Sequence, residues 1–258
     1  MQSTVLNGPL SAQFADYGFA VLSALYSPAA VASLLCVIEN APVSSSNFRR
    51  SQEVFAIRDL LGEVPSLWPL LDTDGLRQLL AGLFPEGCHL AKAIYFDKPA
   101  GSNWLVAWHQ DLMINVDRRV DAPGFGPWTS KVEGISVQPP VAILENIVTI
   151  RIHLDDCDAT NGALKLVPGS HRRGVVPAAA VAPLTPNPTT CVVRAGGAML
   201  MKPLLLHASN RSTGARPRRV IHLEFASAAL PAGLTWRENR KALPHTAPSG
   251  PAGNARPS

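Results

Sequence analysis

Residues 147–171 read IVTIRIHLDDCDATNGALKLVPGSH. At the start of this stretch Thr149, Arg151 and His153 alternate with Val148, Ile150, Ile152 and Leu154. A period of two sends successive side chains to opposite faces of an extended chain, so 147–154 reads as a half-buried β-strand with one apolar and one polar face. Asp155, Asp156 and Asp158 lead into Asn161-Gly162, a strong hairpin signal between apolar runs, and the pattern resumes over 163–167 before a second turn at Pro168-Gly169-Ser170. Short strands punctuated in this way suggest an antiparallel sandwich or jelly roll.

The same texture continues on both sides, with β-like runs at 90–97, 104–109, 190–194, 198–206 and 219–226. The first third reads helical instead. Ser11 caps a short helix that Gly18 ends, and Ser27-Pro28 opens a second with Val31, Leu34, Leu35 and Ile38 on one stripe. A third starts near Asp72, carries Leu76, Leu79, Leu80 and Leu83, and closes at Pro85 and Gly87. Each offers one apolar face, the form needed to back a sheet. We therefore expect a mainly β (α+β) fold, a jelly-roll core backed by N-terminal helices. The connection 112–146, with Pro123-Gly124-Phe125-Gly126-Pro127-Trp128, is too long for a turn and reads as an active-site lid or wall.

The chain has 258 residues, 47% of them hydrophobic, enough for one sizeable core. We expect one domain over 1–236 and a basic, Pro/Gly/Ala-rich disordered tail over 237–258. That tail holds Arg237, Arg240, Lys241 and Arg256 against Glu238, which leaves the body close to neutral despite a net charge of +4. A nucleic-acid reader needs a basic face, so that class is ranked low. The N-terminus has no basic segment ahead of its first apolar stretch and no run reaches the roughly 18 apolar residues of a membrane span, so neither a signal peptide nor a membrane partner is expected. Four cysteines, at 36, 88, 157 and 191, show no CxxC spacing; they read as reduced thiols of a cytoplasmic protein without structural zinc. Monomer and homodimer both remain open.

The sharpest chemical signal is Trp108-His109-Gln110-Asp111 at the end of a strand-like run. Residues two apart on a strand share a face, so His109 and Asp111 can reach one ion, supplying two of the three ligands of the two-histidine, one-carboxylate triad of non-haem Fe(II). A His-x-Asp of this kind arises by chance in about one chain in three of this composition. The sequence holds a competitor, His153-Leu154-Asp155, and periodicity does not choose between them. His207, after the apolar run 199–206, can supply a third ligand. Arg218, eleven residues on, can clamp a carboxylate with two parallel hydrogen bonds; the alternative for Arg211, Arg216, Arg218 and Arg219 is a solvated basic turn, the default for any one of them taken singly.

Together these residues resemble the phytanoyl-CoA dioxygenase family, non-haem Fe(II), 2-oxoglutarate-dependent oxygenases with a double-stranded β-helix core. The resemblance rests on Trp108–Asp111, on Asn161–His171, and on His207-Ala208-Ser209 through Arg218–Ile221, with Asp16–Leu22 similar to the family's first helix-to-strand transition. In the family the iron-binding His-x-Asp stands far ahead of the Asn-Gly block, which implies that His109 and Asp111, not His153, are ligands, with His207 the distal histidine. It implies that Arg218 holds the far carboxylate of 2-oxoglutarate, helped by Ser209. The remaining cosubstrate contacts, among Lys92, Tyr95 and Asn103, are not placed by the motifs. Related halogenating enzymes leave the carboxylate position vacant for chloride, so Asp111 implies hydroxylation or another oxidative outcome.

The implied activity is dioxygenation of a small metabolite, carboxylate-bearing or apolar, by C–H abstraction. Trp104, Trp108, Met113, Phe125 and Trp128 could line an apolar pocket or simply be core. Arg151, on the polar face of its strand, must be paired if it points into the barrel: a substrate carboxylate is one candidate partner, and Glu145, Asp155 or an edge position are the alternatives. Two other classes fit the same ligands. A non-catalytic jelly-roll metal- or ligand-binding protein would not consume 2-oxoglutarate, and a metal-dependent isomerase or hydrolase on a cupin-like barrel would not need Arg218.

Overall fold

The computed structural model describes residues 8–42, 45–50, 55–131, 134–227, 229–231 and 233–238. Helices α1 (Gly8–Tyr17), α2 (Pro28–Glu39), α3 (Leu60–Glu63), α4 (Trp68–Leu71) and α5 (Asp74–Leu83) precede the barrel, and α6 (Val141–Glu145) falls within it. Fourteen strands are described: β1 (Phe19–Leu22), β2 (Phe48–Arg50), β3 (Phe55–Arg58), β4 (His89–Lys98), β5 (Val106–His109), β6 (Ile114–Val116), β7 (Trp128–Lys131), β8 (Gly134–Val137), β9 (Ile147–His153), β10 (Leu164–Leu166), β11 (Thr189–Thr190), β12 (Ala198–Met201), β13 (His207–Ser209) and β14 (Arg218–Ala226). They form a large antiparallel sheet ordered β1-β12-β9-β14-β4-β3-β2, a small one ordered β11-β10-β13-β5 and a side sheet β6-β8-β7. The first two face each other as a jelly roll.

The helices pack as their stripes require. Ser27 accepts a hydrogen bond from Ala30 N at the start of α2, and Thr73 caps α5 by accepting from Leu76 N. Leu34, Leu76 and Leu79 meet Ile150, Ile152, Ile221 and Leu223 from the large sheet in one core. Helix α1 begins at Gly8, so Ser11 lies inside it rather than at its cap, and the N-terminal third is less helical than expected because β1 at one end of the large sheet and β3 with β2 at the other interleave with the helices. The 112–146 connection contains β6, β7, β8 and α6, which enclose a second core with Leu204, Leu234 and Trp236. Runs of three or four residues carry too little periodicity to be read as strands.

Two expectations about 147–171 are corrected. All seven residues of β9 are buried. The apolar set packs under the helices, and Thr149, Arg151 and His153 face the barrel interior instead of solvent. Alternation reports two unlike environments, not which one is wet. Asn161-Gly162 is not a hairpin either, because β9 and β10 lie in different sheets; it is a corner between them. Of the expected tail, Arg237 and Glu238 still belong to the packed body: Arg237 N donates to Asn115 O, and the buried Glu238 carboxylate accepts from Ala93 N. The remainder of the expected tail lies outside the described residues.

Candidate metal and cosubstrate site

His207 on β13 stands directly across from His109 on β5, and this register puts two imidazoles side by side, ring centroids 4.1 Å apart. Asp111 follows β5 and is fixed by its own N–H, which donates to Pro203 O at 2.9 Å. His109 Nδ1 lies 2.8 Å from Ala107 O, and His207 Nδ1 lies 2.8 Å from Leu205 O. Donation from Nδ1 to a carbonyl leaves each Nε2 as the free lone pair, the arrangement that orients an imidazole toward a metal. Those Nε2 atoms sit 3.8 and 3.7 Å from the two Asp111 carboxylate oxygens. One ligand atom from each side chain lies within 4.8 Å of the others.

The charge states suit a divalent cation. Burial holds the His207 imidazole down at about 4, so it is neutral at physiological pH. Burial alone would raise Asp111, but the surrounding basic groups, His207, His222, Lys92 and His109, outweigh it and hold the carboxyl below its ordinary value. A neutral histidine and an ionised carboxylate are the forms that coordinate. Asp111, His222 and Glu224 also approach within 4.8 Å. That second group is already engaged: His222 Nδ1 lies 2.8 Å from Arg151 Nη1, its Nε2 lies 3.0 Å from Glu224, and Lys92 Nζ donates to Glu224 at 2.8 Å.

Beyond the histidines the interior turns cationic. Arg218, 4% exposed, donates from Nη1 to Gly162 O at 2.5 Å, and the Ser209 hydroxyl donates to the same carbonyl at 3.1 Å. Lys98, across β14 from Arg218, donates to Asn210 O and lies 3.4 Å from Ser209 Oγ. Burial and Arg218 together bring its ammonium down to about 8. Gly162 has φ +84°, and a Cβ there would stand 2.8 Å from Lys98 Nζ and 3.0 Å from Asn210 O, so only glycine fits. Asn161, wholly buried, ties this corner to the strand carrying Arg218 by donating to Asp156 O and Pro217 O. The Asn-Gly pair, read in the sequence as turn chemistry alone, thus positions the cationic end of the chamber.

The four arginines expected either to act together or to form a basic turn separate completely. Arg211 donates to Asn103 O, Arg216 to Asp158, and Arg219 grips Asp155 through Nε and Nη2 at 2.9 and 2.7 Å; Arg218 alone enters the barrel. The Asp155 engagement leaves His153 without its partner in a His-x-Asp pair. Arg151 is buried, and its partner is His222 rather than Glu145 or Asp155. Tyr95 faces the helix-backed core, away from the chamber. Trp128 lies on the side sheet, stacked with Phe125 at 6.5 Å and beneath Arg119. Lys98, His222 and Glu224 were missed in the sequence. Their signal was there, since Lys92 and Lys98, and likewise Arg218, His222 and Glu224, sit at even spacing and so share one face of their strands.

Nε of Arg151 and Nε of Arg218 are buried without a hydrogen-bond partner. Two unmatched guanidinium donors and a buried lysine in one chamber fit a dicarboxylate, as the three ligand atoms fit a metal. The sequence profile of the family described as phytanoyl-CoA dioxygenase (PhyH) matches residues 14–220. The chain belongs to that family. Phytanoyl-CoA dioxygenase-type proteins are non-haem oxygenases that use Fe(II) and 2-oxoglutarate, and this is such an enzyme.

Solved structures share the family fold. AviO1 from Streptomyces viridochromogenes Tue57 superposes with a TM-score of 0.63 at 23% identity, over 86% of this chain and 96% of that one. EctD from S. alaskensis, crystallised with 2-oxoglutarate and 5-hydroxyectoine, gives 0.67 at 19% identity over 88% and 77%. HygX from Streptomyces hygroscopicus, holding nickel, 2-oxoglutarate and hygromycin B, gives 0.62 at 16% identity over 86% and 87%. No curated protein matches the sequence. No helix among the described residues is long and apolar enough to cross a membrane.

Proposed function

We propose that His109, Asp111 and His207 hold the Fe(II), that Arg218, Ser209 and Lys98 hold the far carboxylate of 2-oxoglutarate, and that the enzyme hydroxylates a small carboxylate-bearing metabolite. The convergence of two free Nε2 atoms and one carboxylate carries the metal assignment. Bound there, the metal and 2-oxoglutarate supply dioxygen activation coupled to decarboxylation, giving succinate and carbon dioxide and placing one oxygen on a substrate C–H bond. The chain's own work is to orient and exclude. Carbonyls of Ala107 and Leu205 fix the imidazoles, Gly162 O holds Arg218 and Ser209 in register, and the helix layer seals the outer face of the sheet.

Charge supports the substrate class. Among the described residues, Lys92, Lys98, Arg151 and Arg218 face two ionised interior carboxylates, Asp111 and Glu224, while the third buried carboxyl near Lys92, Glu238, is raised by burial to about 8 and so stays protonated at neutral pH. Fe(II) and the 2-oxoglutarate dianion cancel each other, so two positive charges remain for the substrate to match. Arg151, level with His222 and Asp111 at the metal end, is the group proposed to take the substrate carboxylate, with Trp128 and Phe125 forming an apolar wall. Asp111 occupies the position a chloride would need, which favours hydroxylation over halogenation. The test is to add Fe(II), 2-oxoglutarate and oxygen to anaerobically purified protein, screen small carboxylic and amino acids by mass spectrometry for gain of one oxygen with succinate release, and run His207→Ala as control. Oxygen insertion confined to anionic compounds is the expected result; insertion only into uncharged ones would overturn the substrate class.

A further inference from the structure

His153 is 4% exposed on the interior face of β9, and neither ring nitrogen has a hydrogen-bond partner. A buried polar group left unmatched is destabilising, and this ring has two. Register fixes what it faces. His153 lies across from Val220 on β14, one interior position from Arg218, while Arg151 is the adjoining interior residue on its own strand. Two guanidiniums, each with an unmatched Nε, therefore flank an unmatched imidazole inside the chamber. Burial, reinforced by the charges of Arg151 and Arg218, keeps the ring well below its ordinary value and so neutral, with one N–H to donate.

We propose that His153 is a cosubstrate-binding residue whose imidazole N–H donates to the distal carboxylate of 2-oxoglutarate, alongside Arg218. This rests on the reading that 2-oxoglutarate spans the interior from the metal to Arg218. It gives the second His-x-Asp of the sequence a use: Asp155 turns outward to Arg219, and His153 turns inward to the ligand.

The test titrates 2-oxoglutarate into anaerobic Fe(II)-loaded protein, following the visible charge-transfer absorption of the chelate, with pyruvate as a second probe. Pyruvate keeps the chelating α-keto acid and lacks the distal carboxylate. His153→Phe keeps a planar ring and removes the donor; it is expected to raise the 2-oxoglutarate Kd about tenfold, to leave pyruvate and Fe(II) binding unchanged, and to preserve or raise the unliganded Tm. His153→Gln retains a donor and is expected to recover part of the loss, which covers the case of a poorly folding Phe variant. A 2-oxoglutarate Kd within twofold of wild type in both variants, or equal weakening toward pyruvate, would overturn the assignment of His153 while the site reading stands. Wild-type protein that binds no 2-oxoglutarate would instead remove the site reading itself and this assignment with it.

Discussion

The two faces of the large sheet are equally buried and chemically opposite. Outside, Ile150, Ile152, Ile221, Leu223 and Phe225 meet the helices in an unbroken apolar layer. Inside, the residues between them on the same strands are Arg151, His153, Arg218, His222 and Glu224. The outer face is complete as it stands, since every contact it needs is supplied by the chain. The inner face is not, because it holds more cations than carboxylates and several donors with nothing to donate to. A fold carries such a face only if the outer one stabilises it and a ligand completes it. The faces should therefore fail differently when altered.

The largest contrast comes from the proposed metal ligands. Asp111→Ala or His207→Ala is expected to abolish stoichiometric iron binding and to lower succinate formation at least 1,000-fold, with melting behaviour little changed; metal analysis of purified protein and product quantification check this. If either variant kept full iron occupancy, the convergence of the three side chains would have another cause. Next comes Arg218→Ala, expected to raise the 2-oxoglutarate Kd about 100-fold because a buried charge-assisted contact is lost. Arg218→Lys should restore little, since lysine cannot present a planar fork to a carboxylate.

The outer face answers in stability instead. Leu223→Ala is expected to cost about 2–5 kcal/mol in urea unfolding, while the folded fraction binds 2-oxoglutarate as before. Arg151→Met, on the same sheet and equally buried, should leave the unliganded protein as stable or more so, because it removes a desolvated charge. It should also raise the substrate KM far more than the KM for 2-oxoglutarate. Equal effects on both constants would place Arg151 at the cosubstrate.

How much of this could be read from the sequence follows the same division. Apolar stripes on α2 and α5 and the alternation along β9 gave the layers, because hydrophobic periodicity reports burial against a neighbouring element. Which environment the polar side of the alternation faces is not legible, since a polar chamber and a wet surface leave the same pattern along one strand. His109, Asp111, His207 and Arg218 stood out by motif. Lys98 carries only its even spacing from Lys92 and Gly162 only its turn chemistry, and the through-space approach between β4 and the β9–β10 corner that makes both matter is not encoded locally.

The smallest effect is the most specific to the inner face. Lys98 has its ammonium lowered to about 8 from an ordinary 10.5, first by burial and then by Arg218. A depressed lysine value means that the folded, unliganded protein binds this proton less well than the unfolded chain does. The cost of the buried charge is therefore full below pH 8 and is relieved as pH climbs through 8 toward 10.5. A carboxylate beside the ammonium reverses the preference, so 2-oxoglutarate binding takes up a proton above pH 8. Affinity should accordingly fall severalfold between pH 7.5 and 9.5, beyond any change in metal occupancy measured in parallel, and Lys98→Met should bind more weakly throughout with that fall removed. A Met variant that kept the wild-type slope would move the titration to another group and leave Lys98 a structural tether to Asn210.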